Sequence, residues 1–197
     1  MYQEHALRIS DWAHDSPENL RDLITFVLLT IRVQFHRVES SMKETRKLGD
    51  ASPHLWGWKR AGHAYVRDNA AELHADLFDA DTIGFIDTLA TRVPGLGIVK
   101  SAFVAQMFGH EAACIDARNM IALGIEGRPW RTDGQQFARM SMGARYAKIG
   151  KYLAQCEAFG GAAHLWDTWC SGIAPEMGML PDEVSALHWK IPTGRRL

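Results

Sequence analysis

Apolar positions set the first element. Leu20, Leu23, Ile24, Val27, Leu28 and Ile31 recur at the helical period. Ser16 followed by Pro17, Glu18 and Asn19 supplies a cap and a proline at the first helical position. The pattern predicts a long helix from about Pro17 into the mid-forties, its apolar stripe in the core. Gly49, Asp50, Ser52 and Pro53 then break the chain before a second helical region near Leu55. Trp56 and Trp58, two apart, point to different helix sides, which predicts one tryptophan in the core and one at the surface; a stacking role is the alternative. Asp79 or Asp81 can cap a short helix carrying Ile83, Phe85, Ile86 and Leu89.

An apolar pattern over residues 98 to 108 stops at Gly109, and Gly124, Gly127 and Pro129 read as a loop. A helix is predicted from about Asp133 to Phe159, ended by Gly160 and Gly161, followed by one carrying Leu165, Trp166, Trp169 and Ile173. The two tryptophans, three apart on one face, read as core before stacking platform. Pro175, Gly178 and Pro181 precede a last short helix around Glu183 to Trp189. Strand pairs and repeats are absent from the pattern, so the expected class is all-α, one domain over residues 1–197 with room for two helical lobes and a cleft.

Composition narrows the function. The 197 residues are 47% hydrophobic and 23% charged, enough apolar surface to support a core. A net charge of -1 excludes nucleic-acid binding by a global positive field, so any DNA contact must be local. Basic residues cluster at Arg32, Arg37, Lys43, Arg46 and Lys47, at Arg139, Arg145, Lys148 and Lys151, and at Lys190, Arg195 and Arg196; by themselves they read as solvated helix faces. Cys114, Cys156 and Cys170 fit neither a disulfide framework nor a four-cysteine metal site, which predicts a reducing cytoplasm. The apolar run from Leu23 to Val33 is too short for a bilayer, and the N-terminus lacks a signal-peptide plan, so no membrane association is expected. The histidines, among them His36, His54, His63, His74, His110, His164 and His188, show no metal-site spacing, and GxSxG is absent; neither a metal nor a cofactor is expected.

Residues 93 to 103, VPGLGIVKSAF, form a proline-glycine turn between two apolar helical patterns. Gly95 and Gly97 permit tight backbone geometry and close approach of a ligand. The next helix begins with free N–H groups, an anion site suited to a DNA phosphate. A plain glycine-rich connection is the alternative reading. Downstream, Cys114 and Ile115 precede Asp116, which stands at a helix start before Ala117, Arg118 and Asn119. As an N-cap its carboxylate would be favoured by the helix dipole, and an ionised carboxylate can accept a proton from a nucleophile or stabilise a developing cation.

The order and spacing of VPGLG and CIDARN resemble the helix-hairpin-helix DNA glycosylase superfamily. The resemblance implies a phosphate grip made by Pro94, Gly95, Leu96, Gly97 and Ile98, and catalysis by Asp116. The lysine nucleophile of bifunctional members would fall at Val99. Lys100 lies one step on, rotated by roughly 100°, so it is not expected to point where a Schiff-base lysine must, and lyase chemistry is not expected. The missing cysteines exclude the family's iron-sulfur module.

A closer resemblance lies in GLGIVKSAFVAQMFG (95 to 109), CIDARN (114 to 119), LWDTWCSGIA (165 to 174) and EVSALHW (183 to 189). These segments are similar to phage-encoded glycosylase-like proteins of thymine hypermodification, and the similarity spans most of the chain after residue 90. It implies transfer of an amine or amino acid to pyrophosphate-activated 5-hydroxymethyluracil in double-stranded DNA, displacing pyrophosphate. The family pattern places a His where Arg118 stands here. On this reading Asp116 is the base and Lys100 a second catalytic candidate. Lys100, Arg118, Lys148 and His188 are candidates for phosphate or nucleophile contacts. Gln106 and Asn119 are candidates for hydrogen bonds to the flipped base, against ordinary helix surface. A monofunctional DNA glycosylase is the second reading, and a non-catalytic DNA-binding relative the third.

Overall fold

The computed structural model describes residues 10–33, 37–127, 129–130 and 134–169, and among them every regular element is helical. α1 (Pro17–Thr30) begins as the pattern predicts: Ser16 accepts a hydrogen bond from the Asn19 N–H at 3.2 Å. It ends early. Thr30, Ile31 and Val33 form a β-branched run that fits a helix poorly. The Thr30 hydroxyl turns back onto the Val27 carbonyl at 2.7 Å, and Arg32 takes a left-handed φ of 57°. The expected single helix into the mid-forties is therefore two, and α2 (Val38–Leu48) returns along α1, tied to it by Arg46 on Asp22.

A short 3-10 turn (Gly49–Ala51) leads to α3 (Trp58–Asp68), which starts three residues after the expected Leu55 because Gly57 sits at φ 53°. α4 (Ala70–Phe78) and α5 (Thr82–Arg92) follow, and of the two expected caps it is Asp81 that accepts the Gly84 N–H at 2.7 Å. After a five-residue turn, α6 (Ile98–Met107) packs back on α5. α7 (Ala117–Ala122) is short. The expected helix over 133–159 is broken into α8 (Gly134–Ala138) and α9 (Met142–Ala158), because Ser141 caps a new start through the Ala144 N–H. Gly160, at φ 93°, ends α9, but Gly161 opens α10 (Gly161–Thr168) instead of sharing in the stop. Ile173 and the predicted helix at 183–189 lie outside the described residues.

One contiguous core runs from α1 through α10, with Leu23, Ile24, Phe85, Ile98, Val104, Ile115 and Tyr152 fully enclosed. α9 is held on α5 by Arg145, whose guanidinium donates to both carboxylate oxygens of Asp87 at 2.6 and 3.0 Å and to the Met140 carbonyl at 2.8 Å. Among the described residues no helix is long and apolar enough to cross a membrane.

Candidate functional site

The turn between α5 and α6 is closed by the Leu96 N–H on the Val93 carbonyl at 3.1 Å. Gly95 is required twice over. Its φ is 89°, and a Cβ there would lie 2.2 Å from the Trp58 ring. Gly97, by contrast, is extended (φ -103°), so its use is to leave the α6 N-terminus without a side chain. Leu96 and Ile98 are buried, whereas Pro94 and Gly95 are exposed, so the turn presents backbone outward. α3 seats it from behind: a Cβ on Gly62 would meet the Pro94 carbonyl at 2.3 Å. The sequence signal for this seat was a glycine inside a helix, Gly62, four residues after a tryptophan. Of the two expected tryptophan placements, Trp58 packs against the core and Trp56 is 38% exposed, with their rings in edge contact at 5.3 Å.

On α6, Lys100, Phe103 and Gln106 fall three apart and share one face, which looks across a cavity of about 450 Å³ at Asp116. The end of α1 (Thr30, Ile31, Arg32 and Val33) forms one wall. Residues 113 to 119 form another, and Leu165, Trp166 and Trp169 a third. The volume is that of an ordinary small-ligand pocket. Trp166 is buried against Phe103 and lines the cavity as well, so core and pocket are the same face there.

Asp116 uses its two oxygens differently. Oδ1 accepts the N–H groups of Arg118 and Asn119 at 3.1 and 3.3 Å, capping α7. Oδ2 stands 3.6 Å from Lys100 Nζ. The cap and the pocket carboxylate thus coexist in one side chain. The strand-like approach to it is fixed by α9: the Tyr152 hydroxyl donates to the Ala113 carbonyl at 2.5 Å and accepts the Ile115 N–H at 2.9 Å.

Lys100, the second catalytic candidate, lines the cavity. Its Nζ lies near Cys114 Sγ, also at 3.6 Å, and over the Phe103 ring at 5.3 Å. Burial pulls its pKa down, but the Cys114 sulfur and the Asp116 carboxylate outweigh that and raise it above an ordinary lysine. Burial pushes the Cys114 thiol up to about 12. The sulfur therefore stays neutral at physiological pH, and Asp116 is the charge that keeps Lys100 an ammonium. An ammonium is not itself a Schiff-base nucleophile.

Gln106 is neither surface nor a free base reader. It is 2% exposed, its Nε2 donates to the Ala162 carbonyl at 3.1 Å, and its Oε1 accepts the Cys114 N–H at 3.3 Å. It braces the Asp116 segment against α10. Asn119 is likewise buried, with Nδ2 donating to the Cys114 carbonyl, though it lines the cavity. Arg118 is exposed at the rim. Lys148, half-buried on α9, does not line the cavity and is not part of the site. His188 lies outside the described residues.

Two cations escaped sequence reasoning. Arg32 was one of a run of basic residues on an expected helix; the break after Thr30 moves it to the pocket wall. Lys59 is fully buried, its Nζ donating to the Leu29 carbonyl at 3.4 Å beside the Trp56 ring. No group of three or more metal-ligating side chains occurs among the described residues. Comparison of the chain with known protein families, with curated proteins and with solved structures finds no significant match.

Proposed function

We propose that the chain is a DNA-modifying enzyme of helix-hairpin-helix glycosylase-like fold. It transfers an amine or amino acid to pyrophosphate-activated 5-hydroxymethyluracil in double-stranded DNA. The observation that carries the reading is the Asp116–Lys100 pair, a carboxylate and an ammonium 3.6 Å apart in a base-sized pocket beside an exposed turn backbone. The exposed turn suits a DNA phosphate, and the pocket suits an extruded base. The resemblance of residues 95–109 and 114–119 to the thymine-hypermodification group supplies the substrate.

In the proposed step the amine nitrogen attacks the 5-methylene carbon of the flipped base. The C–N bond forms as the C–O bond to pyrophosphate breaks, its electron pair leaving with the pyrophosphate. Asp116 Oδ2 takes the proton released by the nitrogen, and Lys100 offers charge to the departing group. The alternative, a monofunctional glycosylase, rests on the same carboxylate stabilising an oxocarbenium-like state.

The test is nucleoside mass spectrometry on hydroxymethyluracil DNA incubated with a phosphorylating kinase, this protein and a pool of amino acids and polyamines. A heavier thymidine derivative, absent with Asp116→Asn, is the expected product. Released free base with abasic sites would establish the glycosylase instead.

A further inference from the structure

Arg32 combines two features. It is the one non-glycine residue with positive φ among the described residues, and it stands on the pocket wall. Left-handed backbone strains an ordinary side chain, whereas glycine adopts it freely. Its guanidinium makes no ion pair among the described residues and lies 6.0 Å from the exposed Trp56 ring. Lys59 sits over that ring too, at 5.1 Å, and anchors the wall by its bond to Leu29. Burial lowers the Lys59 pKa to about 8, with the charges of Arg32 and Lys100 adding to the effect. Lys59, behind the wall, is thus close enough to feel Arg32 and Lys100, which line the cavity, and among the described residues Asp116 is the one carboxylate lining it. Like charges gathered around a cavity in a chain of net charge -1 leave a local positive potential that a bound anion would relieve.

We propose that this pocket binds a phosphoryl anion, with Arg32 and Lys100 as its direct contacts and Lys59 as the positioning residue that holds the Arg32 wall. The proposal deepens the transferase reading, whose leaving group is such an anion, and fails or stands separately from it because it concerns binding alone. The same chemistry could come from a pyrophosphoryl group on the base or from a single backbone phosphate of the DNA.

The test is calorimetric titration of the full chain with inorganic pyrophosphate and, separately, with orthophosphate. Saturable binding of pyrophosphate is expected, weakened roughly tenfold or more by Arg32→Gly and by Lys100→Met, the loss of one charge-assisted hydrogen bond in each case. Arg32→Gly also relieves the strained φ, so its Tm is expected to be unchanged or higher, which keeps a binding loss from being read as misfolding. Asp116→Asn removes a negative charge from the pocket and should tighten pyrophosphate severalfold. Pyrophosphate bound more tightly than orthophosphate identifies the activated base as the source; equal affinity identifies the DNA backbone. Absence of saturable binding, or wild-type affinity in Arg32→Gly, overturns the proposal.

Discussion

The helical scaffold and the pocket use charge in opposite ways. In the scaffold, arginines meet acids across helices. Arg92 on α5 reaches Asp76 and Glu72 on α4 at 2.5 Å each, and Tyr65 on α3 at 2.9 Å. Asp50 takes both His63 and Arg67, whose hydrogen bonds hold its carboxyl below the usual range despite some opposing desolvation. At the pocket, Arg32 and Lys100 line the cavity with Lys59 buried behind its wall, against one carboxylate among the described residues, Asp116. Matched pairs tie elements together and leave little field behind; an excess of cations over carboxylates at the cavity leaves a positive field there. On the proposed reading the same residue types are structural in one region and ligand-directed in the other, and partner count is what separates them.

Breaking the scaffold side should have the largest effect on stability. Asp87→Ala strands the Arg145 guanidinium between α5 and α9, and a loss of about 3 kcal/mol is expected in denaturant unfolding. A smaller loss, roughly 1–3 kcal/mol, is expected for Tyr152→Phe, which leaves the Ala113 carbonyl and the Ile115 N–H without their shared hydroxyl. Because those two groups fix the approach to Asp116, turnover should fall with it, whereas Asp87→Ala should spare turnover in the molecules that remain folded.

The smallest effect sharpens the pocket side. Lys59 loses its proton near pH 8 in the fold and near 10.5 when unfolded. Between those values the unfolded chain holds more protons, so stability attributable to this group rises with pH. Lys59→Met should remove a rise of roughly 1–2 kcal/mol between pH 7.5 and 10, measured as the difference from wild type. An unchanged slope would mean that burial and the neighbouring cations do not depress the Lys59 pKa.

What the sequence revealed and what it hid follow the same division. The α5–α6 turn and Asp116 were legible because their signals are local: a glycine that must take positive φ, and an acid at a helix start. The all-α class was legible from periodicity. Arg32 was not, because an apolar stripe through Ile31 carries no mark of where the helix stops, and only the β-branched run hints at it. Gln106 looked like surface because its partners, Ala162 and Cys114, come from distant parts of the chain. Lys148 was grouped with the site on charge alone, and its helix face decided otherwise.

The central claim is that Asp116 performs chemistry in this pocket and does not merely cap α7. Asparagine caps a helix about as well as aspartate but accepts no proton. Single-turnover rates with pyrophosphate-activated hydroxymethyluracil DNA, measured beside Tm and DNA affinity, separate the two roles. The account predicts that Asp116→Asn slows product formation by about 10²–10⁴-fold with Tm and DNA affinity retained; an unchanged rate would contradict it.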